Sequence, residues 1–115
     1  MTKILVIDDD VPVAELIAVV LQEANFRVVV LHRLSDVPSE RFDCIVTDLI
    51  DVDPYSYEAA RDWILRLADR FPVTPVVIVT GRREARDDRE RLGAPVLIKP
   101  FDIEDLVSAV REATG

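Results

Sequence analysis

The chain has 115 residues, half of them hydrophobic, and a formal charge of −8 from 22 acidic and 14 basic side chains. A chain of this size folds around a single core that buries about two thirds of the surface its unfolded form exposes, which leaves no room for a second domain. Its acidity disfavours nucleic-acid and membrane partners, because both present phosphate.

Chain order gives an alternating pattern. Lys3 is the only base before the acidic triplet Asp8-Asp9-Asp10, which fits no signal peptide. No apolar run approaches the ~18–20 residues of a membrane span, so the cytoplasm is the expected compartment. The first apolar run, Ile4-Leu5-Val6-Ile7, is nearly continuous, as strands covered on both faces are. Behind a cap at Asp10, residues Val13, Leu16, Ile17, Val20, Leu21 and Ala24 recur at helical spacing. A second run, Val28-Val29-Val30-Leu31, ends at His32, which reads as a surface histidine and not as a phosphorelay residue. From Leu34 to Phe42 there is room for at most two helical turns, interrupted by Pro38.

The third run, Cys44-Ile45-Val46, holds the one cysteine, which excludes an internal disulfide or a CxxC metal site and reads as a core residue. Ser56 caps a helix with apolar positions Ala60, Ile64, Leu67 and Phe71; Trp63 lies beside that stripe as packing or as a partner contact. After Val76-Val77-Ile78-Val79, the stretch Arg82–Leu92 carries five arginines and four acids but only Ala85 and Leu92 as apolar anchors, so a helix there is weakly held. Its arginines can form exposed pairs such as Arg83 with Asp87 or Arg86 with Glu90. The last run, Val96-Leu97-Ile98, precedes a helix capped at Asp102, with Ile103, Leu106, Val107 and Val110 on one face. The order βαβαβαβαβα predicts a single doubly wound (βα)5 α/β domain over residues 1–115, built on a central five-stranded parallel sheet with right-handed crossovers.

In such folds the active crevice lies beyond the carboxyl ends of the strands. There the runs end in Asp8-Asp9-Asp10, Asp48, Thr80-Gly81 and Lys99-Pro100-Phe101. Asp10 reads as the helix cap, which leaves Asp8, Asp9 and Asp48 as the acidic set. Carboxylates at ~4–5 Å repel by roughly 3–4 kcal/mol per pair at an effective dielectric of 20, so the cluster calls for a hard divalent cation, with Mg²⁺ the best fit. All of the net charge indeed sits in residues 1–60, with 12 acids and 4 bases, against ten of each in residues 61–115. The three glycines, Gly81, Gly93 and Gly115, build neither a GxGxxG nor a GxxxxGK[ST] phosphate loop, which disfavours the nucleotide-binding versions of this fold. What remains is a hydroxyl and a lysine around an aspartate, able to stabilise a phosphoryl group on a carboxylate oxygen.

With these four motifs in order over essentially the whole chain, the sequence resembles the receiver domain of two-component response regulators. The matching segments are Ile4–Asp10, Ile45–Asp48, Val77–Gly81 and Lys99–Phe101. The resemblance implies a flavodoxin-like receiver fold. It makes Asp48 the phosphoacceptor, taking a phosphoryl group from the phosphohistidine of a sensor histidine kinase or phosphotransfer protein, or from acetyl phosphate. It makes Asp9 and Asp48 direct Mg²⁺ ligands with the backbone carbonyl of Ile50, and Asp8 a ligand acting through bound water. Thr80 would hydrogen-bond one phosphoryl oxygen and Lys99 pair with another, and the Lys99-Pro100 bond would be cis. The domain would catalyse its own phosphorylation and dephosphorylation without being an enzyme in the ordinary sense.

The chain departs from the family in three places. Val52 stands where proline is usual, and proline follows only at Pro54, so the loop after Asp48 is longer by two residues. Asp51 and Asp53 add charge there, as solvated loop residues or as outer partners of the metal. The stretch from Thr80 to Lys99 is short, and Val96 replaces the switch aromatic; output through mobility of Arg82–Leu92 is expected instead. Ile50 and Arg82, two positions beyond the phosphoacceptor and the threonine, would shield the phosphoryl group. Downstream, an unidentified protein partner is implied, with no output domain after Gly115, and a homodimer stays open. The rival reading is a degenerate receiver serving as a constitutive protein-interaction module. A haloacid-dehalogenase-like phosphatase, which Asp8-x-Asp10 technically permits, lacks its usual extra elements.

Overall fold

The computed structural model describes residues 1–36 and 39–115, so Pro38 lies outside the described residues. β-Branched residues dominate five short strands: β1 (Lys3–Ile7), β2 (Arg27–Leu31), β3 (Cys44–Thr47), β4 (Val76–Thr80) and β5 (Val96–Ile98). All pair in parallel, in the order β2-β1-β3-β4-β5. The helices are α1 (Val11–Glu23), α2 (Tyr57–Arg70), the short α3 (Glu84–Asp87) and α4 (Arg89–Leu92), and α5 (Ile103–Thr114).

Alternation along the strands divides the core in two. Ile4, Val6, Cys44, Val46, Val77 and Val79 point to one face, where they pack with Ile17 and Leu21 of α1 and Leu106 and Val110 of α5. Leu5, Ile7, Ile45 and Ile78 point to the other, against Ala60, Trp63 and Leu67 of α2 and the anchors Ala85 and Leu92. The sheet is therefore covered on both faces, which is why its strands read as continuous apolar runs. Cys44 is a buried core residue, and burial pushes its thiol up to about 12.

Several local expectations shift. α1 turns Ala14, Ile17 and Leu21 to the sheet, and Leu16, on the opposite side of the helix, is left 50% exposed. On α2 the inward stripe is Ala60, Trp63 and Leu67, with the indole inside it and Ile64 at its flank. Ile103 is 53% exposed, because α5 reaches the core only from Leu106 onward. Asp10 and Ser56 cap their helices through the side chain, accepting from Val13 N–H at 3.4 Å and Ala59 N–H at 3.0 Å. Asp102 caps α5 only through its carbonyl, which accepts from Leu106 N–H.

Between β2 and β3 the described residues form a 3₁₀ turn at Leu34–Asp36 and no α-helix. The arginine-rich stretch breaks at Asp88 into two four-residue helices. That break, and the place of Arg83 ahead of α3, remove the i,i+4 register, so the pairs Arg83–Asp87 and Arg86–Glu90 do not form. Arg91 pairs instead with Asp88 at 2.7 Å, and Arg82 with Asp53 at 2.7 Å. Among the described residues no helix is long and apolar enough to cross a membrane.

Candidate functional site

Backbone hydrogen bonds just past the strand ends bring the site together. Asp8 N–H donates to Leu31 O at 3.1 Å, Asp48 N–H to Ile7 O at 2.9 Å and Lys99 N–H to Thr80 O at 2.9 Å. Asp8, Asp48, Thr80 and Lys99 thus share one edge of the sheet, at the β1/β3 crevice where the strand order reverses.

Lys99 Nζ reaches both acids, at 2.8 Å from Asp8 Oδ2 and 2.9 Å from Asp48 Oδ2. The other oxygens are held by backbone donors: Asp8 Oδ1 accepts from Asp10 N–H at 2.9 Å, and Asp48 Oδ1 from Leu49 N–H at 2.7 Å. Only 1% of the Asp8 side chain is exposed. Burial therefore raises its carboxyl above the ordinary aspartate range, against the pull of Lys99 and Asp10 N–H, and the Asp48 charge adds to the rise. Burial alone would lower the Lys99 ammonium, but hydrogen bonds to Asp8 and Asp48 together with their charges raise it.

One carboxylate oxygen from each of Asp8, Asp9 and Asp48 lies within 4.8 Å of the others. Hard oxygen donors at this spacing, with one ammonium among three acids, fit a divalent cation. Asp10 stands apart as the cap. Asp53 is a solvated loop residue paired with Arg82, and Asp51 is exposed at φ 60°, a left-handed turn that aspartate tolerates. The buried Thr80 accepts from Arg82 N–H at 3.2 Å, which leaves its hydroxyl hydrogen to donate. Lys99-Pro100 is cis, and so is Asp53-Pro54.

A cleft of about 440 Å³ opens on Asp9, Asp48, Thr80, Arg82 and Lys99. A larger one, about 610 Å³, lies around Phe42 and Phe71, away from the acidic set, which borders the smaller. Ile50 does not line the site cleft: its side chain packs on the α2 face of the core, so of the two expected shields only Arg82 is placed for that role. His32 is exposed, yet its Nδ1 donates to the Asp8 carbonyl at 3.0 Å, a contact the sequence did not announce. Two further ties were not read from the sequence. Trp63 Nε1–H donates to Thr47 Oγ1, and Tyr55 Oη–H to Asp88 Oδ2 at 2.6 Å. The first had a signal, since Trp63 stands three residues after the inward Ala60.

No protein-family model matches the chain. It is 30% identical over 118 residues to the response regulator ArlR of Staphylococcus saprophyticus, covering 96% of this chain and 51% of that protein. Its structure is similar to the receiver domain of the Francisella response regulator 1452, with a TM-score of 0.78, 25% identity and coverage of 99% of this chain and 97% of that one. In sequence and in fold the chain is similar to the response regulator receiver domains. A Burkholderia pseudomallei response regulator, solved with a phosphorylated aspartic acid, calcium ion and citrate, shares the fold at a TM-score of 0.74 and 24% identity, covering 96% of this chain and 66% of that one. The receiver domain spans about half the length of the curated relatives it matches. Its Val96, opposite Ile78 on β4, is half-buried against the α2 face, so no aromatic ring occupies that position.

Proposed function

We propose that this receiver domain accepts a phosphoryl group on Asp48 from a sensor histidine kinase or phosphotransfer protein in the cytoplasm, or from acetyl phosphate, and signals through protein contacts. The observation that carries the reading is the fork of Lys99 between Asp8 and Asp48 beside Thr80, at the mouth of the cleft. A carboxylate oxygen of Asp48 attacks phosphorus while the bond from phosphorus to the donor breaks, releasing histidine or acetate. Lys99 then meets the negative charge that develops on the phosphoryl oxygens, and the Thr80 hydroxyl donates to one of them. Asp9, Asp48 and the Ile50 carbonyl would hold Mg²⁺, with Asp8 acting through bound water; when bound, the ion supplies further neutralisation of those oxygens.

Intact mass after incubation with Mg²⁺ and acetyl phosphate is expected to show one phosphoryl adduct, absent in Asp48→Ala. An adduct surviving in Asp48→Ala overturns the assignment. A wild type that gains none, from a small donor or a kinase, leaves the interaction-module reading in its place.

A further inference from the structure

The fork of Lys99 accounts for only one of the two Asp48 oxygens. The other is held by Leu49 N–H at 2.7 Å, and the peptide unit that carries this N–H is the one whose carbonyl belongs to Asp48. That carbonyl accepts from Thr47 Oγ1–H at 2.6 Å, and Thr47 Oγ1 accepts in turn from Trp63 Nε1–H at 3.1 Å. An indole N–H can only donate and a carbonyl can only accept, so the direction of every proton in the chain is fixed. It runs from the indole to the hydroxyl, from the hydroxyl to the carbonyl, and through the peptide unit from Leu49 N–H to the carboxylate.

Both relay side chains are enclosed: Thr47 is 1% exposed and Trp63 2%. Water therefore offers them no alternative partner, and each bond lost leaves a buried polar group unpaired. β3 ends at Thr47, so the Asp48 carbonyl is the first past the strand end, and Thr47 supplies its donor. Accepting at the carbonyl polarises the same peptide and strengthens its N–H as a donor. Trp63 itself is set by α2, whose start is fixed by the Ser56 cap and whose inner face packs on the sheet.

We infer that Trp63 and Thr47 are positioning residues for Asp48: through the peptide between Asp48 and Leu49 they orient its carboxylate, so that one oxygen is tied and the other faces Lys99. This rests on the reading of Asp48 as phosphoacceptor, and α2 becomes part of the site without touching it. Thr47→Val keeps the shape and removes the hydroxyl, Trp63→Phe keeps an aromatic and removes the N–H, and Thr47→Ser keeps the hydroxyl.

Two measurements test it in proteins shown to be folded by their unfolding midpoints. The Leu49 amide proton, followed by NMR, is expected to move upfield in Thr47→Val and Trp63→Phe and to stay near wild type in Thr47→Ser. With acetyl phosphate and Mg²⁺, the first two variants are expected to label Asp48 roughly tenfold more slowly at saturating donor, with the half-saturating concentration unchanged and Thr47→Ser near wild type. If Thr47→Val does not fold, Trp63→Phe carries both measurements. An unmoved Leu49 amide overturns the relay; a moved amide with an unchanged rate overturns the positioning role. If the wild type is never labelled, the phosphoacceptor reading fails, and the amide shift still decides the relay on its own.

Discussion

Two aspartates in this domain each face a cation and further hydrogen-bond donors, and they titrate in opposite directions. Asp8, paired with Lys99, is raised above the ordinary range because burial outweighs its partners. Asp88 accepts from Arg91 and from Tyr55, and those bonds hold it below the ordinary range. The chemistry is alike; the scaffold differs. Asp8 follows the inner strand β1, where packing has removed water, whereas Asp88 sits at the joint of two four-residue helices near the surface. The first network carries surplus negative charge, as a cation site requires. The second is already satisfied, and serves to tie the loop after Asp48 to α3 and α4.

The widest separation between the two comes from removing each cation. Lys99→Ala strands the buried Asp8 beside Asp48 and is expected to lower stability by about 3 kcal/mol in metal-free protein, read by urea unfolding. Arg91→Ala leaves that midpoint nearly unchanged, because water replaces an exposed guanidinium. Since the folded-state Lys99 is raised, its contribution is complete below the ordinary lysine range and is lost as pH climbs through the raised value. Equal losses in the two variants would erase the distinction between the networks.

A smaller effect, of opposite sign, is expected at Asp8. A carboxyl whose folded-state pKa is raised favours the unfolded chain once it ionises. Its penalty is complete above the raised value and disappears as pH falls through the ordinary aspartate range. Asp8→Asn should therefore raise the unfolding midpoint at neutral pH in chelator, and lose that advantage when Mg²⁺ stabilises the wild type. A variant less stable than wild type in chelator would show that Lys99 already compensates the charge.

The site was legible because a parallel sheet delivers its strand ends to one edge. Asp8, Asp9, Asp48, Thr80 and Lys99 needed only the apolar runs before them to be placed together. The helices were less legible, since their spacing gives a period but not a rotation: α1 faces the sheet with Ala14, Ile17 and Leu21 and exposes Leu16, and α2 takes Trp63 inside. The ties of Tyr55 to Asp88 and Arg82 to Asp53 could not be read at all. The first depends on the break at Asp88, which no pattern in five arginines and four acids announces, and the second joins two loops that the sequence does not place relative to each other.

The finest test acts on that second network. Tyr55 Oη–H is held on Asp88, and burial first, with that hydrogen bond second, raises its phenol well above the ordinary tyrosine range. Arg91 in turn lies over the ring of Tyr57 at 3.8 Å, so Tyr55 at the end of the loop after Asp48 and Tyr57 at the start of α2 grip the joint between α3 and α4. With Val96 in the aromatic position, this grip and the Arg82–Asp53 pair are the contacts that link the loop after Asp48 to that face. Tyr55→Phe keeps the ring and its packing, so global stability should hardly move. Amide exchange over 84–92, near neutral pH, should rise several-fold, because the segment then keeps only the anchors Ala85 and Leu92 and the stack of Arg91 on Tyr57. In wild type, beryllofluoride is expected to change exchange in the same residues. If exchange there matches the core strands and responds to neither the substitution nor beryllofluoride, α3 and α4 are as fixed as the sheet edge, and the two networks differ in burial alone.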